Sequence, residues 1–169
     1  MIESEFRQRY PVTAETYWRD LVLSLEYQKR LYCEGLGFIR MEVLEHEGDY
    51  ETGMSRRLRF EKPLEAPLPI RKLVGENVVI EEVSRFDPRE KSWTFQMVPA
   101  VVGDRVEIRG AVRLDENAAG VEQLSRNSVS CKIFGIGSLI EHFVAKSTVE
   151  GNTDKAAFTH RYIAEKNLR

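Results

Sequence analysis

The chain has 169 residues, 42% hydrophobic and 31% charged, the composition of an ordinary globular domain rather than a disordered or collagen-like chain. Its 25 Lys and Arg stand against 27 Asp and Glu, a formal net charge of -2, so no bulk field draws it to nucleic acid or to an anionic membrane. The only 2 cysteines, Cys33 and Cys131, lie far apart without a CxxC spacing, which excludes a disulfide framework and a cysteine-rich zinc site and fits free thiols in a reducing compartment. Taken in chain order, Phe6 to Val12 reads as a short strand with Phe6, Gln8 and Tyr10 on one face, ended by Pro11. Thr13 stands as a helix N-cap with Glu15 in the first turn, and a helical pattern follows through Tyr17, Trp18, Leu21, Val22 and Leu25. A second short helix carries Tyr27, Leu31 and Tyr32 and stops at Gly35-Leu36-Gly37.

Beyond Gly37 the hydrophobic period changes from about 3.6 to 2. Ile39, Met41 and Val43 mark one strand; Met54, Leu58 and Phe60 mark the next. Val78–Phe86, Ser92–Val98, Val106–Leu114 and Val121–Ile133 continue the series, with breaks at Asp87-Pro88, Gly103-Asp104 and Asn117 to Gly120. Separations this short make antiparallel neighbours. The long connection Glu61 to Asn77 holds Pro63, Pro67 and Pro69, with one helical turn expected over Ile70-Arg71-Lys72-Leu73-Val74; a loop of this length is a lid or a packed surface segment. Ser138 to Leu168 is the strongest helix signal, with a capping box from Ser138 to Glu141. At Gly151-Asn152 a kink, a change of helix or a close backbone approach is expected.

Strand, two short helices, about six further antiparallel strands and a long C-terminal helix specify an α+β helix-grip fold, a curved antiparallel sheet of about six to seven strands around that helix, in one domain over residues 1–169. A curved sheet is filled poorly by one helix, and the space left is an apolar cavity. No run approaches the roughly 20 apolar residues that span a bilayer, and Met1 to Glu5 is acidic rather than signal-like, so the expected address is the cytoplasm.

Several motifs resemble the START-like (SRPBCC) superfamily. Tyr10-Pro11-Val12-Thr13-Ala14 is similar to the opening of bacterial START-like families of unknown function. Leu68-Pro69-Ile70-Arg71-Lys72-Leu73-Val74-Gly75 resembles the leucine-proline loop of the PRELI-like and VASt-type branches. Glu81-Glu82-Val83-Ser84 with Asp87-Pro88 resembles their following strand and turn, and Phe134-Gly135-Ile136-Gly137-Ser138-Leu139-Ile140-Glu141 their approach to the terminal helix. The resemblance implies binding of a lipid, a sterol or another hydrophobic molecule, in some members with transfer between membranes. PRELI-like proteins carry phosphatidic acid or phosphatidylserine with a small protein partner; Lys146 and Lys155 lie in the helix that would hold headgroup contacts, without a motif that assigns them.

Residue by residue, little local chemistry stands out. His46, His142 and His160 form no compact ligand spacing, and no metal or cofactor is expected. Gly135-Ile136-Gly137-Ser138 is a turn into a helix, not a phosphate loop. Glu81 and Glu82 are adjacent on a strand, so they face opposite sides; one faces water and the other is free to pair with an arginine. Cys131 reads as a small buried residue.

The inward positions carry more. Trp93, Phe95 and Met97 share a face, as do Val106, Ile108, Gly110, Val112 and Leu114, opposite Phe143, Ser147, Gly151 and Phe158. Met54, Arg56, Leu58, Ser125 and Asn127 join this wall by parity. Buried polar groups need partners, so Arg56, Ser125 and Asn127 either orient a polar part of a ligand or form an internal ion-pair and hydrogen-bond network. Ile70, Arg71, Lys72, Leu73 and Val74 are the candidates for a lid that touches a membrane transiently.

Three functions compete. A non-enzymatic module would bind a hydrophobic molecule in the cavity. A helix-grip enzyme of cyclase or hydrolase type would need titratable groups converging inside it, and fold alone does not warrant a reaction. An interaction or co-chaperone-like domain would have a filled interior and an exposed apolar patch. Nucleic acid is not an expected partner: Arg57 and Arg59 read as a solvated strand face that also receives Glu61.

Overall fold

The computed structural model describes residues 1–169 and begins with β1 (Ile2–Tyr10). A short turn at Ala14–Thr16 widens into a π-type turn at Tyr17–Val22, together α1; Leu25–Arg30 and Leu31–Gly35 likewise make α2. Then come β2 (Arg40–Asp49), β3 (Gly53–Pro63), α3 (Leu68–Val74), β4 (Asn77–Asp87), β5 (Ser92–Pro99), β6 (Val106–Asn117) and β7 (Gly120–Cys131). The last element is α4, Gly137–Lys166. The sheet is antiparallel throughout, in the order β1-β7-β6-β5-β4-β3-β2. No helix is long and apolar enough to cross a membrane.

Local chemistry explains the ends of these elements. Thr13 accepts the Thr16 N–H, and Ser24 accepts the Tyr27 N–H, so each short helix starts on a hydroxyl cap. Pro11 lies just beyond β1, yet the strand starts four residues earlier than its apolar residues suggest, because Ile2 to Tyr10 pair continuously with Val129 to Val121. On β2 only Met41 is buried; Ile39 and Val43 are exposed, since this is an edge strand whose register slips between Val43 and Glu45.

Two expectations for α4 fail. The helix begins at Gly137, one residue before Ser138, so Ser138 cannot cap it; its hydroxyl lies 3.4 Å from His142 Nδ1 instead. Glu141 turns away to accept the Cys131 N–H at 2.9 Å and the N-terminal ammonium of Met1 at 3.0 Å, tying the helix to the ends of β7 and β1. The helix also runs uninterrupted through Gly151, where an added Cβ would meet nothing within 4 Å. No backbone approaches there, and a propensity cost of about 1 kcal/mol is too small to break a long packed helix.

The main core lies under α1, α2 and the C-terminal half of α4. Tyr10, Tyr17, Trp18, Leu21, Tyr27, Leu31, Phe86, Phe158 and Tyr162 form one buried cluster, with Trp18 fully excluded from solvent. A smaller cluster of Ile70, Val102, Val106 and Ile140 closes the other end.

Candidate functional site

Strand register decides what faces α4. Three inward rows cross the sheet: Met54, Phe86, Trp93, Val112 and Ser125; then Arg56, Ser84, Phe95, Gly110 and Asn127; then Leu58, Glu82, Met97, Ile108 and Val129. Above these rows the N-terminal half of α4 contributes Phe143, Ser147 and Gly151, too little volume to fill the space. The result is a cavity of about 920 Å3, bounded also by Tyr32, Phe38 and the segment Lys62–Pro67. Of its 32 lining residues only 13 are hydrophobic, so the interior is amphiphilic rather than uniformly apolar. A filled interior, as the interaction-domain reading required, is not what the chain builds.

Ten of the expected wall residues line this cavity: Arg56, Trp93, Phe95, Met97, Ile108, Val112, Ser125, Asn127, Phe143 and Ser147. Four do not. Met54 and Phe158 belong to the main core and Leu58 to the small cluster with Met41 and Phe60. Gly110 is covered by the Phe95 ring, into which an added Cβ would run; glycine is there to seat that ring, not a ligand. The α3 candidates also sit elsewhere. Ile70 is buried, Leu73 and Val74 pack around it, and Arg71 and Lys72 are exposed away from the cavity. The residues that border the opening are those just before α3, from Lys62 to Pro67. α3 itself was expected to be one turn; it is seven residues, seeded by Pro69 near its start.

The polar residues of the sheet rows form the chemical centre. Arg56 is 2% exposed and Glu82 is 4% exposed. Arg56 pairs with Ser84 and Leu58 with Glu82, so guanidinium and carboxylate are diagonal neighbours, within reach of each other's field but not closed into a salt bridge. Arg56 Nη1 donates to the Val22 carbonyl at 3.1 Å, and the guanidinium lies 4.7 Å from the Trp93 ring centroid. The Val22 carbonyl is free because α1 ends there, and a cation suits a helix C-terminus. Gln28 Nε2 donates to the same carbonyl at 3.0 Å. Arg56 Nε has no hydrogen-bond partner.

Burial governs the charges. It pushes the Glu82 carboxyl above its ordinary range, with Arg56 pulling the other way. Lys155, half-buried on the cavity wall, is held below the usual lysine range by burial, with Glu82 opposing. Lys62 is lowered by burial as well, and its Nζ lies 5.1 Å from the Phe38 ring centroid. On the outer face of the sheet Glu81 binds Arg59 at 2.7 Å and Arg57 at 3.4 Å, while Glu61 pairs with Arg40. The adjacent glutamates thus do face opposite sides. Gln123 Nε2 donates to Ser125 Oγ, an internal polar pair. His160 contacts Gln8 at 3.0 Å on the surface, and only His142 borders the cavity, at its exposed rim. Cys131 is half-buried at the end of β7.

Sequence reasoning left the partner of Arg56 open between Glu81, Glu82 and a ligand, and missed Lys155 as a member of this centre. Parity alone puts Glu82 beside Arg56, so that half was readable once the β3–β4 register was assumed. Lys155 needed the rotation of α4, which no local pattern fixes.

Comparison with known proteins places the architecture. A family model described as "Protein of unknown function (DUF2505)" matches residues 5–163. No curated protein matches. Among solved structures, the protein TTHA0849 from Thermus thermophilus is 17% identical with a TM-score of 0.71, covering 98% of this chain and 99% of that one. The ZhuI aromatase/cyclase from Streptomyces sp. R1128 is 13% identical with a TM-score of 0.68, covering 99% and 96%. A START superfamily protein from Mycobacterium smegmatis is 13% identical with a TM-score of 0.62, covering 95% and 98%. At such identities the similarity speaks for the fold: a START-like helix grip.

Proposed function

The chain belongs to the DUF2505 family and has the START-like helix-grip fold, and on that premise we propose that it binds a hydrophobic small molecule in the cavity between the sheet and the first half of α4. One observation carries this reading: a space of about 920 Å3 inside a protein whose kind normally packs its interior with few voids larger than a water molecule. Sites of about 300–1,000 Å3 hold drug-sized ligands. Burial of ligand surface against Trp93, Phe95, Met97, Ile108 and Phe143 would supply about 25 cal/mol per Å2. The ligand would pass between Lys62–Pro67 and α4, so the lid is the first part of the Pro63–Gly75 connection rather than Ile70–Val74. Exchange with a membrane is the finer form of the proposal, and exposed Leu68 beside Arg71 and Lys72 is the surface that supports it. A cytoplasmic location goes with it, supported by two unpaired cysteines.

The test is native mass spectrometry of gently purified protein, followed by solvent extraction. A stoichiometric hydrophobic molecule is the expected result. A bare mass that stays unchanged against a panel of lipids and sterols overturns the proposal.

A second reading rests on a separate observation. Glu82 and Lys155 face one cavity with pKa values displaced toward neutrality from opposite sides, the pattern of an acid–base pair. An enzyme would return the extracted molecule chemically altered with wild type and intact with Glu82→Gln; identical recovery from both removes this reading.

A further inference from the structure

The innermost part of the cavity holds more positive than negative charge. Arg56 and Lys155 are the cations at its inner end, Glu82 is the one carboxylate beside them, and Lys62 is a further half-buried cation at the opening. The remaining acidic lining residues, Glu65, Glu150 and Asp154, are all exposed at the rim, and Glu150 lies 3.8 Å from Lys146 there. Rim charges in water compensate a buried cation weakly, because solvent screens them.

Arg56 itself is under-satisfied. A guanidinium carries five N–H donors. The structure gives it a single hydrogen bond, Nη1 to the Val22 carbonyl, and leaves the Nε without a partner although the residue is 2% exposed. A neutral carbonyl does not offset a buried charge, and Glu82 stops short of a salt bridge. Removing a cation from water without a paired anion is among the most costly arrangements a fold can keep. Ser84 Oγ, directly across the register from Arg56, is turned to the Glu82 carboxyl rather than to the guanidinium. An unpartnered donor on a buried cation next to an accessible space is the mark of a missing hydrogen-bonding guest.

Resting on the reading that the cavity binds a hydrophobic molecule, we propose that this molecule is an amphiphile with one carboxylate head, seated against Arg56 and Lys155 with its hydrocarbon along Phe95, Met97, Ile108 and Phe143. The charge decides the class. At the inner end of the cavity one ligand carboxylate with Glu82 balances Arg56 and Lys155, Lys62 lying apart at the opening, whereas a phosphate monoester brings about 1.5 to 2 negative charges. The geometry agrees, since a planar guanidinium fork matches a carboxylate with two parallel hydrogen bonds. The Trp93 ring fixes the guanidinium plane from one side, which lowers the ordering cost of binding.

The experiment is isothermal titration of the full chain with dodecanoate, 1-dodecanol and dodecyl phosphate below their micelle concentrations. Dodecanoate is expected to bind at least about tenfold tighter than dodecanol, as one charge-assisted hydrogen bond supplies. Arg56→Met should bring dodecanoate and dodecanol to parity, the ratio of the two affinities being the readout. Lys155→Gln should weaken dodecanoate alone, by a smaller factor, and serves as the reporter if the Arg56 variant does not fold. Equal binding of dodecanoate and dodecanol by wild type overturns the carboxylate head and leaves the hydrophobic cavity standing. Tighter binding of dodecyl phosphate overturns the charge balance, and a Lys155→Gln affinity equal to wild type for dodecanoate overturns the seat. Failure of all three ligands to bind removes the cavity reading and this proposal together.

Discussion

The two halves of α4 do different work on the same sheet. From Ala156 onward, Ala156, Phe158, Thr159, Tyr162 and Ile163 are buried, and the helix packs into the aromatic cluster of α1 and α2. Before Gly151 only Ile140 is buried, and Phe143, Ser147 and Gly151 border empty space. The reason lies in the partners rather than the helix. α1 and α2 bring Tyr17, Trp18, Tyr27 and Leu31 to one end of the sheet; nothing of comparable volume covers the other. One end carries stability, and the other leaves room for a guest.

The largest effect should therefore come from the packed half. Phe158 touches Tyr27 and Tyr162, at 6.1 Å between ring centroids in each case, and fills the space above Gly35. Phe158→Ala should cost about 3–5 kcal/mol, read from urea unfolding. Phe143→Ala on the cavity side should cost about 1–1.5 kcal/mol, as expected of a half-buried ring. Equal costs would abolish the distinction between the halves.

Gly110→Ala comes next. The new methyl group would meet the Phe95 ring and, at 2.6 Å, Asn127 Oδ1. Overpacking of this kind costs about 1–3 kcal/mol, and the ring has only the cavity to move into. Stability and ligand capacity should fall together; a loss of stability with capacity unchanged would mean that Phe95 yields elsewhere.

Phe158 and Gly110 also show what a sequence can and cannot disclose. Period-two alternation located every strand from β2 to β7 within a few residues, and Pro11, Thr13 and the glycines after α2 marked the helical insertion, so the helix grip was legible. Parity likewise put Arg56, Phe95 and Asn127 on the cavity side. Parity does not separate a wall from a core, however. Phe158 and Phe143 share a helix and a residue type, and only the elements stacked beneath them make one core and the other wall. Gly110 failed for a related reason: its neighbour across the register, not its own face, decides what fills its space. The false capping box from Ser138 to Glu141 shows the same limit at a helix end, where Glu141 had a better donor in the Cys131 N–H.

The cavity half should also respond to pH. Burial raises the Glu82 pKa above its reference of 4.5. The folded protein then holds this proton more tightly than the unfolded chain does. The contribution of the protonated carboxyl is fully present below pH 4.5 and is lost as the pH rises through the folded pKa. The difference in unfolding free energy between Glu82→Gln and wild type should move in favour of the variant as the pH climbs from below 4.5 to neutral. A pH-independent difference would mean that Arg56 compensates the carboxylate in full.

The smallest effect should come from Gly151, and its sign is the sharpest test of the contrast. In a packed helix face an added methyl must displace a neighbour, as at Gly35, where it would come within 2.8 Å of the Phe158 ring. At Gly151 it would meet nothing within 4 Å. Gly151→Ala should therefore keep only the backbone term and stabilise the protein by about 0.4–1 kcal/mol, while Gly35→Ala destabilises it. The methyl group also enters the cavity, so the same variant should bind bulky ligands slightly less well. Thermal unfolding with and without ligand separates the two: a higher midpoint without ligand and a smaller ligand-induced rise. A lower midpoint without ligand would show that this stretch of α4 closes on the sheet, and that the cavity is not held open by small residues.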